Sequence, residues 1–201
     1  MTLDRAGWPF VAGLAAVTLV LLWFAPPLSA VGAVLLVFTL NFFRDPERRA
    51  PDDPGALISP ADGRIVRADN GRVSIFMNVF DVHVCRSPAA GRVIEVAHEP
   101  GRFFAAMKDE ASEQNERTTI VVQSPEGASV RFALVAGLVA RRIVCRVAVG
   151  RTLRSGERVG IIRFGSRVDL DLPAGAAPTV RVGDRVVAGE TVVARRVQGA
   201  A

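Results

Sequence analysis

Lysine is nearly absent from this chain of 201 residues, and cysteine and histidine are scarce. Lys108 is the only lysine, so arginine carries almost all the positive charge behind the net charge of +5. Cys85 and Cys145 are too few for a disulfide framework or a cysteine metal cluster, and each lies in a valine-rich segment typical of a buried strand. Any histidine base must be His83 or His98. We therefore expect a reducing compartment and no metal site.

Charge is missing from two N-terminal stretches, Trp8–Phe24 and Leu28–Phe43. Each is slightly short for a hydrocarbon core of roughly 30 Å, so they predict either a tight transmembrane helical hairpin or a re-entrant pair. A cleaved signal peptide is disfavoured because the first residues are barely basic and a second apolar run follows. Arg44, Arg48 and Arg49 come next, and positive residues at this point place the rest of the chain on the cytoplasmic side of the cell membrane.

Composition divides the chain into three parts. We expect a membrane-anchoring helical hairpin over 1–45, a charged and proline-rich linker over 46–55, and a β domain over 56–201. The arginine excess lacks the interleaved aromatics of a nucleic-acid platform, which excludes nucleic acid and favours an anionic membrane surface as partner. The sequence leaves the oligomeric state open, with a homodimer among the alternatives.

Short strands dominate the β domain. Arg64–Arg67 and Arg72–Met77 flank Asp69-Asn70-Gly71, a hairpin turn signal. A helix is expected around 103–115, which is rich in Ala, Met, Lys and Glu. The fold class is thus mainly β, a compact sandwich or hybrid-barrel-like domain with one or two short helices. Further strands are expected over Val79–Cys85, Gly91–Ala97, Thr118–Gln123, Ser129–Val135 and Arg141–Val149.

Two C-terminal segments, 150–160 and 180–193, each place a glycine–acid pair beside a valine strand. This resembles the turn pattern of lipoyl and biotinyl carriers, but a carrier needs a modifiable lysine in an exposed hairpin. Lys108 lies in the expected helix, so carrier function is disfavoured. A non-enzymatic, membrane-tethered hybrid-barrel module that binds a partner stays as an alternative.

The stretch Val159–Pro173 alternates apolar and polar residues around Gly165-Ser166. As one continuous strand it would place Ser166 in an apolar row. The opposite face would carry Arg163, Arg167, Asp169 and Asp171. The other interpretation is a kink or tight turn between two strands.

Asp62, His83 and Ser166 supply an orienting carboxylate, a general base and a hydroxyl nucleophile. Each also has a purely structural interpretation. A histidine between valines is often a buried structural residue, and Asp62 in Ser-Pro-Ala-Asp-Gly fits a turn whose carboxylate bonds its own backbone.

Phe42–Pro46 ends the second apolar run, and Ser59–Gly63 and Phe80–His83 contain Asp62 and His83. Pro100–Phe103 and Asn115–Arg117 follow, and Arg163–Asp169 contains Gly165-Ser166. Together these tracts resemble the short, membrane-anchored branch of the phosphatidylserine decarboxylase proenzymes, over nearly the whole chain. Phe-Gly-Ser-Arg at 164–167 is the most specific, where the longer branch usually has Leu-Gly-Ser-Thr; that branch also carries an additional histidine upstream of the one matching His83.

The resemblance implies self-cleavage between Gly165 and Ser166 into 1–165 and 166–201. His83, oriented by Asp62, would activate Ser166, which becomes a covalent pyruvoyl cofactor. Phosphatidylserine would then be converted to phosphatidylethanolamine and CO2 through a Schiff base with that group.

The same resemblance and the arginine chemistry suggest where the lipid binds. Phe103 and Phe104 would meet acyl chains, and Arg117 would pair with a carboxylate or phosphate, although Arg117 fits a structural salt bridge equally well. A pyruvoyl decarboxylase acting on another amino-acid substrate is the nearest enzymatic alternative, and the N-terminal hairpin argues against a soluble one.

Overall fold

The computed structural model describes residues 2–53, 55–101, 114–125, 127–137, 142–163 and 166–196. The chain divides into two units, Met1–Glu47 and Arg48–Ala201. The boundary falls in the segment expected to be a linker. The roles assigned to the two parts stay predictions.

The first unit is a helical hairpin. Helix α1 (Trp8–Phe24) and helix α2 (Pro26–Phe42) are joined by Ala25 alone. They approach closely at Gly32, where an added Cβ would lie 2.5 Å from the hydroxyl oxygen of Thr18. A 3₁₀ turn (Arg5–Gly7) precedes α1, and strand β1 (Thr2–Leu3) pairs with strand β2 (Arg44–Asp45).

Among the described residues, one helical stretch, Arg5–Phe24, is long and apolar enough to cross a membrane, and α2 is shorter. Large apolar side chains of α1 are exposed, Trp23 by 84%. Such a surface is compatible with membrane association.

The described part of the second unit forms fourteen strands. In chain order they are β3 (Ala56–Ile58), β4 (Gly63–Ala68), β5 (Arg72–Met77), β6 (Val84–Arg86), β7 (Gly91–Glu99), β8 (Arg117–Gln123), β9 (Ser129–Val135), β10 (Arg142–Cys145), β11 (Thr152–Leu153), β12 (Arg158–Arg163), β13 (Ser166–Asp171), β14 (Ala176–Pro178), β15 (Arg185–Val186) and β16 (Val192–Arg196).

Eight of these strands form one sheet, curled like half a barrel, in the order β11-β7-β8-β9-β13-β5-β4-β15. Two three-stranded sheets, β10-β12-β6 and β14-β16-β3, complete the unit. All three sheets contribute to one apolar core, which includes Phe132 and Ile75 from the large sheet, Ile162 from β12 and Val193 from β16. The mainly β fold with an N-terminal helical hairpin is thus confirmed.

The predicted hairpin around Asp69-Asn70-Gly71 is present as β4 and β5, paired antiparallel. The Asp69 carboxylate accepts hydrogen bonds from the backbone N–H groups of Gly71 (2.9 Å) and Arg72 (2.8 Å), which closes the turn. Arg67 and the turn N–H groups together hold the pKa of Asp69 below its usual value.

The strand expected over Val79–Cys85 is wrong in its first half, because only Val84–Arg86 is extended there. Side chains capture the backbone at Asn78–Asp81: the N–H of Asn78 donates to the Asp81 carboxylate and the N–H of Phe80 to the Asn78 amide oxygen, both at 2.8 Å. Such bonds favour a turn over a strand. The strand expected over 141–149 is shorter too, and the expected helix lies outside the described residues except at 114 and 115.

The described parts of Val159–Pro173 belong to two different sheets. Strand β12 ends at Arg163 in a three-stranded sheet, and β13 begins at Ser166 in the large sheet, paired with β5 and β9. Residues 164 and 165 lie outside the described residues, so the kink or turn between the two strands stays a prediction. The polar face is buried as well, because Arg167 is 1% and Asp169 4% exposed.

Candidate active site

Ser166 is the first residue of β13 and lies opposite Met77 of β5. It is completely buried, and its hydroxyl oxygen has no hydrogen-bond partner among the residues that the structure describes. Burying an unsatisfied hydroxyl costs about 1–3 kcal/mol. A fold tolerates such a group where chemistry needs it, which makes Ser166 a candidate nucleophile.

His83 is also completely buried, directly before β6. Its Nδ1 atom lies 2.9 Å from the backbone carbonyl oxygen of Asp81. A carbonyl can only accept, so this bond requires Nδ1 to carry the hydrogen. In the neutral ring the lone pair is then on Nε2, which is the form that a general base needs.

Two chain connections bring the surroundings of His83 and Ser166 together. The N–H of Ile162 in β12 donates to the carbonyl oxygen of His83 at 3.3 Å, and Ser166 follows four residues later. On the other side, Met77 faces Ser166 and the turn at 78–81 leads from it to His83. The histidine therefore lies beside the end of β12, and a short turn connects it to the strand that faces Ser166.

Asp62 directly precedes β4, and the contacts of its carboxylate include two groups. One oxygen accepts the backbone N–H of Ala188 at 2.7 Å, and the other forms an ion pair with Arg48 at 3.0 Å. The contact from Asp81 occupies the Nδ1 side of His83, where a triad would place its carboxylate. An orienting role for Asp62 on His83 stays a prediction.

The charge of Asp62 affects the pKa of Cys85, which lies two residues after His83. Burial raises the pKa of the Cys85 thiol far above its usual value, and the charges of Asp62 and Cys145 add to the rise. Cys85 is consequently a neutral core side chain, and Asp62 lies near the strand that follows His83.

The other predicted site residues are less informative. Arg117 donates to the Glu99 carboxylate at 2.6 Å and lies opposite Val135, which in turn faces Arg167. By strand alternation the Arg117 side chain is on the sheet face opposite that of Ser166. Phe103, Phe104 and Gly165 lie outside the described residues. Their roles, and that of Arg117 in lipid binding, stay predictions.

His98 is far less enclosed than His83. Its side chain is 56% exposed at the end of β7, with Nδ1 3.2 Å from the Thr118 hydroxyl. Among the described residues, no cluster of three His, Cys, Asp or Glu side chains could hold a metal ion. The buried histidine is thus the stronger candidate for a base.

A buried polar group beside Ser166 was not predicted from the sequence. Arg167 donates to the Asp169 carboxylate at 2.6 Å and to the Ser74 hydroxyl at 2.8 Å. The i, i+2 spacing of opposite charges on a strand was the signal, since it places both side chains on one face. The burial of that face was not expected.

These features define a β domain with a completely buried serine at the start of β13 and a completely buried histidine directly before β6. The family model for phosphatidylserine decarboxylase matches residues 35–194. A phosphatidylserine decarboxylase proenzyme of Pelobacter propionicus is 45% identical over 207 residues, covering 94% of each chain. The chain belongs to the phosphatidylserine decarboxylase family.

Proposed function

We propose that this chain is a phosphatidylserine decarboxylase that cleaves itself between Gly165 and Ser166 and uses the residue at 166 as its cofactor. The observation that carries the proposal is the buried Ser166 hydroxyl at the start of β13, which has no hydrogen-bond partner among the described residues. Membership of the family supports the decarboxylation reaction, and the buried serine supports residue 166 as the site of processing.

Self-cleavage begins with proton transfer. Nε2 of His83 accepts the hydroxyl proton while Oγ of Ser166 attacks the carbonyl carbon of Gly165. The new C–O bond replaces the C–N bond, and the nitrogen of residue 166 leaves as an amine. The chain is then joined through an ester.

Elimination completes the processing. Loss of the Cα proton of residue 166 breaks the Cβ–O bond, so Gly165 departs as a carboxylate and residue 166 becomes dehydroalanine. Its imine tautomer reacts with one water and releases ammonia. A pyruvoyl group then begins the fragment 166–201.

The surroundings of residue 166 fit that group. It faces Met77 and precedes Val168, both of which are completely buried, so water is kept from the ketone. The pyruvoyl group supplies an electron sink for the pair released when carbon dioxide departs. We assign His83 as the proton donor to the product and Asp62 as the residue that orients it.

The substrate is a lipid, and the N-terminal unit supports a membrane location. We propose that the hairpin anchors the enzyme in the cell membrane with the β domain on the cytoplasmic side, where arginines meet anionic lipids. The enzyme could also form a homodimer, and light scattering of the processed enzyme would measure its molar mass in solution and so test this.

Intact-mass analysis tests the proposal directly. The wild type should yield a C-terminal fragment of 36 residues, 166 to 201, whose first group is a ketone, whereas Ser166→Ala should stay one chain. A wild type that remains whole after incubation with membranes would contradict self-processing. Carbon dioxide release from phosphatidylserine, compared with free serine, then tests the substrate.

A further inference from the structure

Arg167 is an arginine buried to 1% exposure immediately after the processing serine. Its Nε donates to Oδ1 of Asp169 at 2.6 Å, and one terminal nitrogen donates to the Ser74 hydroxyl at 2.8 Å. Ser74 lies on the neighbouring strand β5, directly opposite Asp169. The hydrogen bond from Arg167 to Ser74 therefore links the beginning of β13 to the adjacent strand β5.

The position of this cluster matters because of the self-cleavage proposed above, on which the inference rests. Before cleavage, residue 166 is held by the chain on both sides. After cleavage it becomes a chain end, and the ends of strands fray unless they are tied down. Only residue 166 precedes Arg167 in β13.

Geometry separates the cluster from the chemistry. Successive side chains of a strand point to opposite faces, so Ser166 points to one face of the large sheet and Arg167 and Asp169 to the other. Arg167 also lies between Phe76 of β5 and Val135 of β9 in the ladder. The three side chains can therefore hold the strand without occupying the sheet face that carries Ser166.

We propose that Arg167, Asp169 and Ser74 form a clamp that holds the new chain end in register after cleavage, so that the pyruvoyl group stays in place for catalysis. All three are positioning residues, since none needs to contact the substrate. An arginine suits this position because its charge is permanent and its planar fork fixes two partners at once.

The test compares Arg167→Leu and Asp169→Asn in two backgrounds, the processing chain and the uncleaved Ser166→Ala chain. Amide hydrogen exchange is measured at residues 167–169, together with kcat per pyruvoyl group, counted by reaction with phenylhydrazine. We expect exchange to rise more in the cleaved form than in the uncleaved form, and kcat to fall about tenfold with little change in KM, because small misplacement of a reacting group costs rate.

A matched control lies on the same two strands. The pair of Arg72 and Asp171 joins β5 to β13 at 2.7 Å on the same sheet face, but at the far end of β13 and about one-third exposed. Arg72→Leu should change neither exchange at 167–169 nor kcat. Should Arg167→Leu fail to accumulate, Ser74→Ala removes one clamp contact with a minimal change and carries the same two measurements.

The outcomes are distinct. If exchange increased equally in the cleaved and uncleaved chains, the cluster would only stabilise the strand in general, and the clamp proposal would be overturned. Unchanged exchange and kcat in correctly processed variants would overturn it as well. A wild type without a pyruvoyl group would instead refute the proposed function.

Discussion

The Nδ1 atom of His83 lies 2.9 Å from the backbone carbonyl oxygen of Asp81, at the end of the turn that follows β5. This contact fixes the ring tautomer through the backbone. The catalytic nitrogen is then Nε2, and its availability depends on the turn as much as on the histidine itself.

His83→Asn separates these two roles. The asparagine amide can still donate toward the Asp81 carbonyl, but it has no base corresponding to Nε2. We expect the rate of self-cleavage to fall by about 10²–10⁴, the usual contribution of a general base. Time-resolved intact mass measures the rate, and near-normal cleavage in a folded His83→Asn protein would remove His83 from the first step.

Asp62 is tested against its ion-pair partner. Asp62→Asn and Arg48→Ala each break the same ion pair, but only the first changes the carboxylate. If Asp62 orients His83, Asp62→Asn should slow self-cleavage on the order of tenfold, since it does not itself transfer the proton. Arg48→Ala should slow it far less.

Stability must be measured beside that rate. In the uncleaved Ser166→Ala background, loss of this part-buried pair should lower the free energy of unfolding by about 1 kcal/mol in either variant. Asp62→Ala should cost about 2 kcal/mol because the Ala188 N–H also loses its acceptor. Matching rates for Asp62→Asn and Arg48→Ala would leave Asp62 a structural role only.

Local patterns in the sequence were sufficient for much of the fold. Alternation and the Asp69-Asn70-Gly71 signal predicted β4 and β5 because both depend on neighbouring residues. The Asn78–Asp81 turn was missed because its stability comes from side-chain bonds to the backbone, which compete with strand propensity.

The connections of the candidate site could not be predicted from the sequence. Ser166 and His83 were named as candidates, and both are buried, whereas a backbone carbonyl as the partner of Nδ1 leaves no trace in residue identity. Likewise, alternation placed Arg167 and Asp169 on one face, but their burial depends on the rest of the fold, in which β13 lies between β5 and β9.

Gly63, next to Asp62, is required by its backbone. Its φ is +147°, and an added Cβ would lie 2.2 Å from the carbonyl oxygen of Phe76. Gly63→Ala should therefore lower the free energy of unfolding by about 3 kcal/mol, from strain and overlap together. Urea denaturation in the Ser166→Ala background measures it. Gly71→Ala is the control, because its nearest atom, an Asp69 carboxylate oxygen, lies at an ordinary 3.5 Å.

Cys85 should make stability fall at alkaline pH. Burial raises the pKa of its thiol above the ordinary value of 9.0, so above that pH the unfolded chain loses a proton that the folded chain keeps. Its contribution is complete below pH 9 and declines as the pH rises further. The chain has no tyrosine and one lysine, so few other groups titrate in this range.

Urea denaturation at pH 8 and pH 10.5 measures the effect, with Cys85→Ala as the variant that lacks it. The loss of stability between the two pH values should be smaller for Cys85→Ala. At pH 8, iodoacetamide should modify the half-buried Cys145 before Cys85. Rapid alkylation of Cys85 in the folded protein would contradict its burial.

Helix α1 gives the sharpest test of membrane anchoring. Leu19 and Leu22 are 68% and 58% exposed, so the fold does not need them for its own core. An arginine at the centre of a transmembrane helix makes the free energy of membrane insertion less favourable by about 2.5–3.5 kcal/mol, so replacing both leucines with arginine should oppose insertion. We expect the double arginine variant to leave the membrane fraction after a carbonate wash, while the double alanine variant stays. Because both variants remove the same leucines, retention of both would show that α1 is not the anchor.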